Sequence, residues 1–267
     1  MQTGKGVRFT RTIGWWLLLF VSSAWADWTI NMPRGVTSIS HKIYDLHMMV
    51  FYICLVIAIG VFVALFYAIF AFRKRPKAVA SDFHESLSIE LLWTLIPLVL
   101  VILMMIPTVY VMFDLDDTSR PDMTIKISGI QWKWRYDYLD EGVDFLSNLK
   151  TSPGMIRGSE PKSPHYLLEV DKPLVVPVHT KIRLLFTSND VNHSWWVPEL
   201  GIKMDCIPGY VNEAWVNIEK PGIYRGQCTE LCGMQHGYMP IVVEAKSLAD
   251  YAHWLAEQKL SRKQVRN

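Results

Sequence analysis

Charge is scarce in this sequence. Asp, Glu, Lys and Arg make up 19% of its 267 residues, against about 25% in soluble domains. Mean hydropathy is +0.16. A disordered chain would need low hydrophobicity and high net charge. The formal net charge of +2 also lacks the basic excess of a nucleic-acid binder. Four cysteines are too few for a disulfide scaffold. No Cys-x-x-Cys-His occurs, so the chain carries no covalently attached haem. Internal repeats and low-complexity tracts are missing too. What the sequence has instead is long uncharged apolar runs followed by a polar, tryptophan-rich segment.

Lys5, Arg8 and Arg11 precede a short apolar core from Ile13 to Val21, and Ala24-Trp25-Ala26 follows. Residues 1–26 therefore read as a cleavable signal peptide. Residues 27–120 read as a membrane hairpin, with spans over 48–72 and 91–113. The first span is uncharged for 25 residues and the second for 23. At 1.5 Å per residue the longer run reaches about 37 Å, enough to cross a hydrocarbon core of about 30 Å. Pro97 and Pro107 lie in the second run, where neighbouring membrane helices can satisfy the freed carbonyls. Arg73, Lys74, Arg75 and Lys77 place the 73–90 loop in the cytoplasm by the positive-inside rule. The remainder of the chain then lies outside, in agreement with the signal peptide.

From residue 121 the pattern changes to period-two alternation punctuated by Gly and Pro. It predicts short strands near 124–128, 165–170, 181–187, 211–218 and 241–244, with a long loop over 145–164. The expected fold is thus two transmembrane helices followed by an all-β sandwich or barrel over 121–247. A terminal amphipathic helix and basic tail occupy 248–267. Residues 121–250 hold 13 basic and 16 acidic groups, a mild acidity that would suit a basic partner.

The segment Gly226-Gln-Cys-Thr-Glu-Leu-Cys-Gly-Met-Gln-His-Gly-Tyr-Met-Pro240 carries the chemistry. Cys228, Cys232, His236 and Met239 fall within it, and His193 lies upstream in Asp190-Val-Asn-His-Ser-Trp-Trp. Thiolate, imidazole and thioether donors together suit copper, with zinc the main competitor. A Cys228–Cys232 disulfide is the ordinary alternative in an exported domain. A mononuclear blue-copper site needs one cysteine, not two. The surplus thiolate points to a second metal, with both sulfurs bridging and one imidazole on each copper. Met239 and a backbone carbonyl inside the loop would then act as weak caps. Such a site suits electron transfer and needs no open position for oxygen.

These residues closely resemble the dinuclear copper loop of subunit II of cytochrome c oxidase. The resemblance extends over the hairpin, the Trp-rich strand, the His segment and the Cys loop. It implies a cupredoxin-like barrel with copper A ligands His193, Cys228, Glu230 (through its carbonyl), Cys232, His236 and Met239. It further implies magnesium or manganese at the subunit I contact, held through the Glu230 side chain. Gly129-Ile-Gln-Trp-Lys-Trp-Arg-Tyr-Asp-Tyr138 resembles the family's aromatic segment, which makes Trp132 the point where cytochrome c delivers electrons. Glu90 matches the glutamate at the mouth of a proton pathway in subunit I. The resemblance implies an electron-transport chain of the respiratory membrane, with proton pumping and oxygen reduction in subunit I. It implies partners in subunit I, other oxidase subunits, cytochrome c and the lipid bilayer, and no nucleic acid. With the signal peptide, it implies a bacterial inner membrane and a periplasmic copper domain.

Asp137, Asp140, Glu141, Asp144 and Asp190 are the acids expected to meet cytochrome c. Lys133, Ile130, Trp196 and Cys206 depart from the family pattern. Outside the copper motif, Cys54 reads as lipid-facing or packed in its helix and Cys206 as a small core residue. Four other readings compete. They are a quinol oxidase subunit, which lacks copper ligands; a nitrous-oxide reductase, which needs a larger chain; a membrane-anchored copper chaperone; and a structural protein with a disulfide.

Overall fold

The computed structural model describes residues 31–74 and 84–266, with side chains to Arg262. The signal peptide expected at 1–26 lies outside the described residues, as does the 75–83 part of the 73–90 loop.

Two long helices come first, α1 (Ser38–Ala71) and α2 (Leu87–Asp116). Both are long and apolar enough to cross a membrane, and their apolar windows are unburied within the chain. Leu, Ile, Val and Phe face outward at almost every turn, as lipid-facing helices require. α2 continues through Pro97 and Pro107. Both helices run past the uncharged stretches. α1 begins ten residues before Met48, and its polar first turns lie on the sandwich side.

The β region follows as two five-stranded sheets. One sheet contains β1 (Met123–Ile130), β2 (Lys133–Tyr138), β3 (Val143–Ser147), β5 (Ile182–Ser188) and β8 (Asn212–Val216), in the order β3-β2-β1-β5-β8. The other contains β4 (Leu174–Pro177), β6 (His193–Val197), β7 (Ile202–Cys206), β9 (Gly222–Cys228) and β10 (Pro240–Lys246), in the order β4-β10-β9-β6-β7. β1–β5 and β4–β10 pair in parallel, and the other neighbours are antiparallel. This is a cupredoxin-like sandwich.

Alternation fixes the register. Trp134, Tyr136 and Tyr138 point inward from β2, while Lys133, Arg135 and Asp137 point outward. The inward set meets Phe186 and Trp195 in a core of fully buried aromatic and branched side chains. Each large side chain of this kind contributes roughly 1.5–3 kcal/mol by burial.

Two expectations are corrected. Residues 165–170 form no strand; Pro164 precedes them, and Leu167 takes a left-handed φ of 60°. Only Val170 makes a bridge, to Leu149. The 145–164 span is not all loop, because it holds the end of β3 and a short helix, α3 (Pro153–Arg157). Ser152 caps α3 by accepting the Met155 N–H at 3.1 Å. The terminal helix α4 (Leu248–Arg266) is present, but Leu248 and Leu260 are exposed. Tyr251, Trp254 and Leu255 make its inner face. Trp254 packs 5.4 Å from the Tyr138 ring and 6.4 Å from Phe145, centroid to centroid.

The start of α1 is stitched to the sandwich. Thr37 and Ser40 form a reciprocal capping box, which satisfies two donors that a helix start leaves open. The Thr37 hydroxyl also donates to the Leu200 carbonyl at 3.0 Å, and Thr37 bridges to Ile218. At the other helix end, Trp215 donates to the Asp114 carbonyl at 2.8 Å, and Lys42 pairs with Asp114 at 2.6 Å.

Candidate metal centre

The donors come from three places at one end of the second sheet. His193 is the first residue of β6 and Cys228 the last of β9. Trp195 opposite Cys228 sets the register between those strands. Cys232 lies in the loop after β9, His236 opens a short 3-10 turn, and Met239 directly precedes β10. Two glycines allow the close packing. A Cβ on Gly226 would lie 1.9 Å from the Trp196 carbonyl, where β9 crosses β6. A Cβ on Gly129 would lie 2.6–2.9 Å from three His193 side-chain atoms.

The side chains converge. Cys228 Sγ and Cys232 Sγ are 3.9 Å apart. His193 Nδ1 lies 4.0 Å from Cys228 Sγ, and His236 Nδ1 lies 3.4 Å from Cys232 Sγ. Met239 Sδ lies 3.5 Å from Cys232 Sγ, and the Glu230 carbonyl 3.4 Å from Cys228 Sγ. The ligand atoms of His193, Cys228 and Cys232 all fall within 4.8 Å of one another. Both cysteines are free. Two sulfurs at 3.9 Å are beyond the disulfide length of about 2.05 Å, yet within reach of one ion bonded to both at about 2.3 Å. The donor set therefore fits a soft metal. All six residues expected as ligands meet at this point, Glu230 through its main chain.

The electrostatics of the two thiols differ. Burial raises Cys228, but hydrogen bonds from His193 and from the Ser194 and Glu230 main chain outweigh it and leave the thiol below its ordinary value. Cys232 is pushed up to about 12, by burial first and then by the Cys228 charge. A pair of adjacent thiols resists double ionisation, and a cation between them removes that resistance. His193 loses basicity to burial but regains more from Cys228 and Asp190, so its value is raised.

Asp190, one of the acids expected to meet cytochrome c, is exposed and also reaches the metal cluster: its Oδ1 lies 2.9 Å from His193 Nε2, and its Oδ2 accepts the Gln131 N–H at 2.7 Å. Burial raises Asp190, and these hydrogen bonds bring it below the usual carboxylate range. A carboxylate on the far nitrogen of a ligand histidine fixes its tautomer and ring angle. The Asp-x-x-His spacing was the available signal.

Trp132 sits half-buried against the Cys loop. Its indole N–H donates to the Cys232 carbonyl at 3.2 Å, and the Gln131 amide donates to the same carbonyl at 2.8 Å. Trp134 lies inside, edge-on to His193 at 5.9 Å, and its indole donates to the Met239 carbonyl. Cys206 stands opposite His193 across β6–β7 and is fully buried. Burial, then Cys228, raises its thiol. Cys54 is exposed on α1. The Glu230 side chain is exposed at the loop rim. Glu90 occupies the first turn of α2, far from the cluster, at the helix end opposite the sandwich.

A β-sandwich with two thiolates, two imidazoles and a thioether at one end, mounted on a membrane hairpin, defines a membrane-anchored cupredoxin-like protein with a soft-metal centre. Residues 123–246 match the family described as cytochrome C oxidase subunit II, periplasmic domain, and residues 25–111 its transmembrane domain. Cytochrome c oxidase subunit 2 of Cyanidium caldarium is 38% identical over 246 residues, covering 90% of this chain and 94% of that protein. The probable cytochrome c oxidase subunit 2 of Rickettsia bellii is 33% identical, covering 91% and 90%. The crystal structure of the periplasmic domain of subunit II from Bradyrhizobium japonicum is 38% identical, covers 54% of this chain and 98% of that one, and aligns with a TM-score of 0.48. The chain belongs to the cytochrome c oxidase subunit II family. It is a membrane component of that oxidase, with a periplasmic-type domain whose His193, Cys228 and Cys232 can hold copper.

Proposed function

We propose that this chain is the electron-accepting subunit of the oxidase. Reduced cytochrome c would dock over Trp132, and the residues behind it would hold a dinuclear copper A centre that would supply electron transfer towards haem in subunit I. Oxygen is reduced to water there, with protons pumped across the membrane, and the oxygen site is not on this chain. The copper pair, when bound, supplies reversible one-electron transfer. The observation that carries the reading is the convergence of Cys228, Cys232, His193, His236 and Met239 at a loop whose Cys232 carbonyl is held by the Trp132 indole.

The chain's own residues divide the work. Cys228, Cys232, His193, His236, Met239 and the Glu230 carbonyl would hold the copper pair. Asp190 holds the His193 ring, and the sandwich keeps that geometry fixed, so little reorganisation accompanies electron gain or loss. The exposed Glu230 carboxylate would help hold magnesium or manganese at the subunit I contact. Glu90 collects protons at the cytoplasmic edge for a pathway in subunit I. The signal peptide at 1–26 and the basic 73–90 loop support a bacterial inner membrane, with the domains divided at 27–120, 121–247 and 248–267.

The test is copper content and electron paramagnetic resonance on the full chain purified in detergent. Two coppers per chain and a seven-line signal are expected. A single copper with a four-line signal, or none, would overturn the dinuclear reading and return the disulfide or chaperone alternatives.

A further inference from the structure

Three aromatic side chains point inward from β2, and each spends its polar atom differently. The Tyr138 hydroxyl donates to the Val175 carbonyl at 2.7 Å, and the Tyr136 hydroxyl accepts the Trp195 indole N–H at 3.5 Å. Both of these bonds stay within the core. Trp134 turns to the metal centre instead. Its indole N–H donates to the main-chain carbonyl of Met239 at 3.2 Å. Its ring stands edge-on to His193, with centroids 5.9 Å apart and planes at 62°. His193 opens β6 and Met239 precedes β10, both in the second sheet, whereas Trp134 belongs to the first. One side chain thus crosses the sandwich and meets two donor residues of the centre.

A cross-strand pair makes this possible. Gly129 on β1 stands directly opposite Trp134 on β2. The glycine leaves the room that His193 fills, and the tryptophan bounds the same ring with its edge. Buried tryptophan needs an acceptor for its N–H, and the Met239 carbonyl supplies it. That carbonyl needs the indole in return. The Met239–Pro240 peptide has no N–H, because proline lacks one, so the carbonyl is the one polar group by which its plane can be held. Trp134, His193 and Met239 are each no more than 1% exposed, which keeps water from replacing the indole. Holding that plane fixes the direction in which the Met239 side chain leaves the backbone. Its Sδ ends 3.5 Å from Cys232 Sγ.

We propose that Trp134 is a positioning residue of the metal centre: its N–H sets the reach of the Met239 thioether through the Met239 carbonyl, and its ring edge sets the tilt of the His193 imidazole. The inference rests on the copper reading above. A weak thioether ligand tunes the reduction potential of a copper site, and the groups that orient ligands shape affinity and potential along with them. A thioether held close favours the oxidised metal by donating electron density. Releasing it therefore raises the potential.

The test uses the full chain, copper-loaded in detergent. Trp134→benzothienylalanine replaces the indole N–H by sulfur and keeps the shape and the ring edge. Its potential should rise by the equivalent of about threefold in the oxidised-to-reduced equilibrium, or about 28 mV for one electron. The hyperfine pattern in electron paramagnetic resonance should change, while the His193 nitrogen coupling stays parental. Trp134→Leu removes the edge as well, so the His193 coupling should change too. Met239→Leu should raise the potential by itself, and adding benzothienylalanine at 134 should move it no further, since both act through one thioether. The first and third of these decide the matter even where Trp134→Leu does not fold. A benzothienylalanine variant with parental potential and spectrum, or a shift that adds in full to that of Met239→Leu, reduces Trp134 to core packing and overturns the proposal. The parent's seven-line signal would then leave the copper reading intact. A parent chain without that signal overturns both.

Discussion

Gly129→Ala probes how tightly the strand beneath His193 sets the metal site. The added methyl would approach His193 Cδ2, Cγ and Cβ at 2.6, 2.7 and 2.9 Å. To reach ordinary contact the ring must retreat by about 0.8 Å. The strand cannot retreat in its place, because β1 is hydrogen-bonded to β2 on one side and β5 on the other through Gly129 itself. His193 is fully buried. Overpacking of this kind costs about 1–3 kcal/mol. Metal–nitrogen distances tolerate only about 0.2 Å, so the displacement is several times what a copper ligand can absorb. The expected result is a copper affinity reduced more than about tenfold, an altered electron paramagnetic resonance spectrum and a lower thermal midpoint before metal is added. Copper titration and calorimetry on the detergent-purified chain measure all three. A variant with parental affinity, spectrum and midpoint would refute the argument that β1 fixes the His193 ring.

Asp190→Asn keeps the shape but removes the charge on His193 Nε2; copper affinity should fall about 10–100-fold, measured by chelator competition. Thr37→Ala removes the α1 cap and orphans the Leu200 carbonyl, at a cost of roughly 1–3 kcal/mol; Thr37→Ser should retain most of the stability in the same thermal scan. Glu199 is raised by burial more than the nearby Arg225 lowers it. Its stabilising contribution is therefore present below the unfolded carboxylate value and lost as pH rises through the folded one. Glu199→Gln should match the parent near pH 4 and exceed it near pH 7 in thermal midpoint.

The hairpin was legible because lipid removes ambiguity. Uncharged runs of that length have no other stable place, and four basic residues after the first run set its direction. The donor cluster was legible because cysteine, histidine and methionine at those offsets have few bland uses. Residues 165–170 misled because alternation alone cannot see Leu167 adopt a positive φ after Pro164. β4 carries no alternation at all, since Leu174, Val175 and Val176 are buried on both faces. Gly129 acts through a contact between strands that are far apart in sequence, and no local pattern reports that it backs the His193 ring. Asp190 lies three residues before His193, and that spacing was the one local signal for its contact with Nε2. The acids of the β2–β3 hairpin were visible as charges, but their partners on α4 lie more than a hundred residues away.

The seam between Thr37 and the sandwich has a geometric corollary. The stretch from Ser38 to His47 is a rigid stalk of about 15 Å between the capped start of α1 and its uncharged span. Helices advance about 1.5 Å and turn about 100° with every residue. Inserting or deleting one residue in the stalk would barely change the height of the donor cluster above the bilayer. It would, however, swing the whole sandwich by more than a quarter turn about the helix axis and carry the Cys loop away from whatever it faces. Stalk length is thus a setting of azimuth far more than of altitude.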